Sequence, residues 1–411
     1  MVKKASILIL ITIFILNFGL LYSQEKALVL SLKELMAEAR KNNPDIQAAK
    51  ARWQASLARV PQAKALESPS VGISSDRMLS IQQVFPLFGK LSLKGKVAFI
   101  ESQMFAAEYK NKELEVIEEL KHAYHDLFMN YKEAELDQES LSILDAVANI
   151  VEAKYIVGEA SQEQFFKIIL EMAKLSNDIQ NLTQVKRAIE TRINLLLNRD
   201  ARLFLGVPQL EEAVNFDKDV DYLYKLTLEN QPELSTFALA IEKNKFAESL
   251  AKRNIFPDIM SEIVLRSITS GGIGPWDVAL SFTLPFWFWT KQRYEVKEAI
   301  ANLDEAKAVY QSMKNRAFIQ TQDLVVKVGI SKNRISLYKN NQIPLLESSI
   351  ESSLSAIRSG KGDFMSLLDT LRMVLETKMS YYRALVDYHM SLTDLEFSTG
   401  VDLMNIKEVN K

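Results

Sequence analysis

The sequence predicts a mostly helical α+β protein made of two copies of one plan, in which a β-hairpin leads each time into a very long coiled-coil hairpin. Three observations carry this: an internal duplication, helical periodicity sustained far beyond globular helix length, and two short segments of strict alternation. At 411 residues and 48% apolar the chain affords a large core, and 10 Pro with 13 Gly are few enough to favour long unbroken elements.

The first 24 residues, MVKKASILILITIFILNFGLLYSQ, begin with a basic pair at Lys3 and Lys4, run apolar from Ile7 to Leu21, and reach a small residue at Ser23. That pattern predicts a cleaved export signal over 1–23, with an uncleaved membrane anchor as the alternative. No Cys occurs anywhere, which removes lipid attachment at an N-terminal Cys, disulfides, thiolate metal sites and Cys nucleophiles. An exported chain without disulfides is held together by its packing. With 50 basic against 52 acidic residues, no global field draws in nucleic acid.

The first repeat spans 24–201 and the second 220–402, joined by a linker at 202–219 and followed by a tail at 403–411. KNNPDIQAAK at 41–50 resembles ENQPELSTFA at 229–238, with Pro44 matching Pro232, and Pro69 keeps the same offset to Pro257. VFPLFGK at 84–90 answers TLPFWFWTK at 283–291, and LLLNRD at 195–200 falls opposite EFSTGV at 396–401. Each repeat therefore predicts a short helix, a helix of about 20 residues, a strand pair, a very long helix, a break, and a helix of about 40 residues.

The first long helix runs from about Lys90 to Val157, with Ile117, Leu120, Tyr124, Leu127, Tyr131 and Ala134 at alternating spacings of three and four. The second repeats this in Ala299, Leu303, Ala306, Tyr310, Met313 and Ala317, then in Leu324, Val328, Ser331, Ile335 and Tyr338. This is a coiled-coil seam, narrower than the face of a globular helix, on a rod of roughly 100 Å. The breaks fall at YIVGEA, with Gly158, and at IRSGKG, with Gly360. Matched glycines there predict two helix reversals, where a left-handed residue ends one helix and starts the return.

The second hairpin, 258–286, alternates Trp276, Val278, Leu280, Phe282, Leu284 and Phe286 with Asp277, Ala279, Ser281 and Thr283; its partner strand sets Ile259, Ile263 and Leu265 against Glu262 and Arg266. An apolar face opposite a charged one fits a transmembrane barrel strand, with Glu262, Arg266 and Asp277 toward the lumen, although on alternation alone a hairpin half-buried on a soluble core is the commoner case. Phe286, Trp287, Phe288 and Trp289, followed by Lys291 and Arg293, favour the first, because aromatic and basic residues collect at bilayer interfaces. The first hairpin, 69–86, alternates in the same way but allows only about seven residues per strand. That is short of the roughly 9 to 11 needed to span. Four strands do not close a barrel, so a barrel requires several chains.

With its two NNPDI and NQPEL helix starts, its VFPLFGK and LPFWFWTK transitions and its two glycine tips in the same order, the chain resembles the TolC family of outer-membrane channel proteins over nearly all its mature length. The short FPLFGK form is similar to the cation-efflux branch. The resemblance implies a homotrimer in the outer membrane, in which three chains of four strands close one barrel and the helices form a hollow periplasmic α-barrel. It also implies docking on a periplasmic adaptor and an inner-membrane pump, of the RND type or else the ABC type, and a passive role as exit duct. By that resemblance Val157, Gly158, Glu159, Ser359, Gly360 and Lys361 face the adaptor. Some members carry two acids three apart past the second tip, ringing the pore gate; the matching positions here are Ser366 and Asp369, so only the second acid is present. Ile357, Gly362 and Gln164 stand where such members have Tyr, Arg and Asp, so the closing network differs, and Asp369 is either a gate carboxylate or a solvated surface acid.

The three His leave little for acid–base or metal chemistry. His122 and His125 are three apart on the long helix without further recognisable ligands, and read as surface or packing. GGIG at 271–274 is a turn between strands and not a phosphate loop. Neither an enzyme, a cofactor nor a metal is expected. The alternative from another class is a soluble periplasmic coiled-coil adaptor or scaffold, with the hairpins folded on a core.

Overall fold

A computed structural model describes residues 29–403, apart from 75–77, 211, 214–215, 217, 266–267, 270–271, 274, 360–361 and 363. The expected export signal at 1–23 and nearly all of the tail lie outside the described residues, as do Arg266, Gly360 and Lys361.

In the first repeat, β1 (Val29–Leu30) is followed by α1 (Leu32–Asn42) and α2 (Pro44–Lys64). Ser31 caps α1, and Asn43 caps α2 by accepting from the backbone N–H of Asp45 and Ile46 at 2.9 and 3.1 Å, with Pro44 preset for the first turn. Strands β2 (Ser70–Ile73) and β3 (Leu79–Phe85) then lead into α3 (Lys90–Ile156), 67 residues long, and the return helix α4 (Gln162–Leu196). The second repeat gives α5 (Val220–Asn230), α6 (Pro232–Arg253), β5 (Asp258–Leu265), β6 (Ile268–Thr269), β7 (Gly272–Ile273) and β8 (Trp276–Thr283), as the duplication predicts.

Its long arm departs from prediction. Instead of one helix it forms α7 (Gln292–Leu337), a π turn (Tyr338–Gln342) and α8 (Ile343–Arg358), before the return helix α9 (Phe364–Thr399). Segments of 46, 5 and 16 residues together match the length of α3. Pro344 is the cause: it has no N–H for the carbonyl four residues back, and its ring crowds that carbonyl, so the backbone widens by one residue per turn. The linker also differs, since β4 (Val207–Pro208) within it pairs in parallel with β1. The Tyr124 hydroxyl sits between these strands, within 3.0 Å of the Leu30 carbonyl and 2.8 Å of the Gln209 carbonyl, and accepts from Gln209 N at 2.9 Å.

The predicted seam is where the helices meet. Ile117, Leu120, Tyr124 and Leu127 are buried with Ile46 of α2 and Ile193 of α4, while Leu303, Ala317, Leu324, Val328 and Ile335 are buried along α7. Tyr131 and Ala134 are only half-buried, because the buried stripe moves round α3 to Leu136, Ser140, Leu144 and Val147. A straight helix drifts in this way against a strict heptad. Near the tips a single core joins both hairpins, with Leu144, Val151, Ile168 and Leu175 from repeat one and Ile357, Leu367 and Leu371 from repeat two. Among the described residues no helix is both long and apolar enough to cross a membrane.

Candidate functional site

The strands form one antiparallel sheet in the order β2-β3-β5-β8. Its register aligns Phe85 with Ile259, Ile81 with Ile263 and Leu79 with Leu265, and these in turn with Phe282, Val278 and Trp276. Because side chains alternate, this one register gathers these apolar residues with Val71 and Ile73 on one face and sets Asp258, Glu262 and Asp277 on the other, beside Val84, Met260 and Val264. Gln82 Nε2 donates to Glu262 Oε1 at 2.8 Å on the polar face. The apolar face is not packed on a core: Ile73 is 80% exposed, Leu280 66% and Trp276 65%. A hairpin folded on a soluble core would bury these residues, so that expectation is not met. Strands β2 and β8 are the sheet's two edges.

The first hairpin is shorter than predicted, because β2 has only 4 residues against 7 in β3. Its pairing with the second hairpin ends at Leu79 with Leu265, while β6 and β7 carry the second hairpin onward in the same register, with Ile268 opposite Ile273. The sheet is therefore tall at the second hairpin and low at the first.

Where strand turns into helix, the repeats are bound together. Lys90, buried, places Nζ 2.8 Å from Asp258 Oδ1 and 2.7 Å from the Phe256 carbonyl, and Asp258 also accepts from Leu87 N at 3.1 Å. A buried ammonium with both partners in place is satisfied, whereas losing the carboxylate would strand it. In the second repeat Phe286, Trp287 and Trp289 are well exposed, and Phe288 is half-buried with its ring 3.6 Å from that of Trp289.

At the first tip Gly158 has φ +81°, its N–H bonds to the Tyr155 carbonyl, and Glu159 N–H reaches back to Lys154 at 2.8 Å. These two bonds define a left-handed helix stop, and Ser161 with Gln164 restarts the chain through a reciprocal capping box. Ile156 and Val157 are exposed there. Lys167, 2.7 Å from Glu163, holds that carboxyl below its usual range. At the second tip the described turn rests on Ser359, bonded to Ser355, and on Gly362, whose N–H reaches the Ala356 carbonyl at 2.9 Å. A Cβ on Gly362 would stand 2.6 Å from the Ile357 backbone nitrogen, so the close approach there requires this glycine. The sequence pairs Gly360 with Gly158 by spacing and does not single out Gly362.

Ser366 and Asp369 are both exposed on α9. Asp369 lies 3.7 Å from Arg372, which in turn pairs with Glu171 of α4 at 2.9 Å. The sequence reading does not identify Arg372 and Glu171. Among the described residues the three-member group with metal-ligand spacing lies elsewhere, at Glu118, His122 and Asp394.

The architecture is an antiparallel sheet, open at both edges and faces, above two long helical hairpins. Compared by sequence, the chain matches no family model and no curated protein. Compared by structure, it is similar to channels of the TolC family. The outer-membrane channel OprN superposes with a TM-score of 0.79 at 18% identity, covering 90% of each chain. The outer-membrane protein VceC from Vibrio cholerae gives 0.77 at 16%, covering 90% of this chain and 96% of its own. The Campylobacter jejuni outer-membrane channel CmeC gives 0.78 at 16%, covering 90% and 85%. The chain has the TolC-channel fold over 90% of its length.

Proposed function

We propose that three copies of this chain form an outer-membrane channel, the exit duct that passively conducts substrates delivered by an inner-membrane pump and a periplasmic adaptor. The observation that carries this reading is the sheet: an exposed apolar face, a charged opposite face and two edges without partners in one chain. Buried in a bilayer and joined edge to edge, such a sheet satisfies both its apolar surface and its backbone. The fold shared with solved channels supports the same reading. In it Glu262, Asp277 and Arg266 line the lumen, and Phe286, Trp287, Phe288 and Trp289 form the interface belt on outer-membrane lipid. Val157, Gly158, Glu159, Ser359, Gly360 and Lys361 meet the adaptor, and a threefold ring of Asp369, beside Ser366, attracts cations at the gate. The pump is of the RND type or else the ABC type, and the duct performs no covalent chemistry. Fractionating host membranes and sizing the detergent-extracted particle tests this: a trimer in the outer membrane supports it, and a soluble periplasmic monomer refutes it.

A further inference from the structure

Glu118 and His122 stand one helical turn apart on α3, and Asp394 meets them from α9, so that one ligand atom from each lies within 4.8 Å of the others. His122 Nε2 donates to Asp394 Oδ1 at 2.6 Å. All three side chains are half-buried, reached by solvent but backed by protein. Lys121, the nearest lysine in sequence, is committed to Glu396 in its own ion pair, which leaves two carboxylates to share one imidazole. Burial, and then the charge of Asp394, pushes the Glu118 carboxyl up to about 7, while the hydrogen bond to Asp394 raises His122. The stripe continues along α3 to His125, which is 3% exposed, has Nδ1 without a hydrogen-bond partner, and packs its ring 5.7 Å from that of His389 on α9.

We propose that Glu118, His122 and Asp394 bind one divalent transition-metal cation, which ties α3 of the first repeat to α9 of the second. The charges match, since two carboxylates and a neutral imidazole balance a dication. One imidazole nitrogen with two carboxylate oxygens is a borderline donor set, suited to zinc and its neighbours. Calcium and magnesium prefer oxygen alone, and monovalent copper favours sulfur ligands. Ligand atoms around one zinc stand about 3–4 Å apart, so side-chain rotation closes the group without moving either helix, and water completes the shell. The ion takes the place of the proton that now bridges His122 and Asp394, which relieves the repulsion between Asp394 and Glu118. Sequence spacing alone shows only the Glu118–His122 half of this group, because Asp394 arrives from 272 residues away.

Zinc is the probe. The full-length protein, extracted in detergent without a histidine tag and freed of metal by a chelator, is titrated with zinc against a chromophoric competitor. One zinc per chain is expected, with His122→Ala, Glu118→Gln and Asp394→Asn each weakening it by about 10–100-fold or more, the range seen for losing even an outer-shell partner. Circular dichroism and particle size show whether each variant is folded, and Glu118→Gln, nearly isosteric, remains interpretable if His122→Ala does not assemble. X-ray absorption of the loaded protein is expected to show a single imidazole among oxygen ligands. Wild-type zinc affinity in every ligand variant that folds, two or more imidazoles in the spectrum, or loss of zinc in His389→Ala but not in His122→Ala would each overturn the assignment.

Discussion

Arg372 of α9 donates through Nη2 to Glu171 Oε2 of α4 at 2.9 Å and through Nε to Oε1 at 3.4 Å, a two-toothed bond that fastens the second hairpin to the first close behind their tips. The Glu171 side chain is only 15% exposed, so the guanidinium is drawn to a fixed carboxylate, while its other nitrogen stays near Asp369. With Arg372 half-exposed to water, a pair of this kind is worth about 1 kcal/mol to global stability. Its effect is therefore expected locally, on how tightly the tips are held. Arg372→Ala should leave the melting temperature of the extracted protein within a few degrees of wild type, but raise single-channel conductance in planar bilayers. The exchange Arg372→Glu with Glu171→Arg should restore it. Conductance unchanged in the single variant would show that the pair does not hold the tips.

The two tips should respond differently to a methyl group. Around Gly158 a Cβ meets open space, so Gly158→Ala costs only the left-handed backbone, about 1–2 kcal/mol, and Gly158→Asn less still. At Gly362 a Cβ would press on the Ile357 backbone, which cannot yield without moving a residue that is 4% exposed in the tip core. Thermal unfolding should rank Gly362→Ala below Gly158→Ala, and Gly158→Asn nearest wild type. The reverse order of the two alanine variants would contradict this account of the turns.

Asp137, 7% exposed on α3, has its carboxyl pushed up to about 6 by burial, then by the nearby charges of Glu133 and Asp178. Since the folded state resists the ionised form, the residue costs nothing below its unfolded value near 3.9, and its cost grows as pH rises to about 6 and is complete above it. Asp137→Asn should therefore stabilise the protein at pH 8, by about 2 kcal/mol, with the gain fading as pH falls from about 6 to 4 and absent below that. Melting curves at the two pH values check this, and a gain independent of pH would rule out the titration as its cause.

Much of the fold is legible because its signals are local and periodic. Trp276 to Phe282 alternate in sequence and appear on one face of the sheet; Leu120 and Leu127 keep the seam spacing and are fully buried. Other features rest on meetings that no local pattern encodes. Arg372 and Glu171 lie 201 residues apart, and neither interrupts a helical pattern. In SGKGD, two glycines two residues apart present the same signal, and the close approach of Gly362 to Ile357 is not written in it. At Asn198, with φ +55°, the helix end is stopped as Gly400 stops its counterpart, but an asparagine inside LLLNRD does not announce a left-handed residue. The π turn falls just before Pro344, yet a proline inside a helical pattern can end a helix, kink it or widen it, and the sequence does not say which.

The central claim is that sheets from three chains join edge to edge, β8 of one beside β2 of the next. The duplication supplies the register: Pro69 corresponds to Pro257 and Pro86 to Pro285, so the pairing of Phe85 with Ile259 translates into Leu284 opposite Val71, and hence Phe282 opposite Ile73. Directly opposed strand residues lie within disulfide reach, and the chain has no cysteine of its own to interfere. Oxidising membranes that carry the double variant Ile73→Cys with Phe282→Cys is the most direct measurement. The account predicts covalent dimers and trimers on a denaturing gel, with nothing larger and no product from either single variant. Absence of any cross-link, or a ladder continuing past three chains, would contradict it.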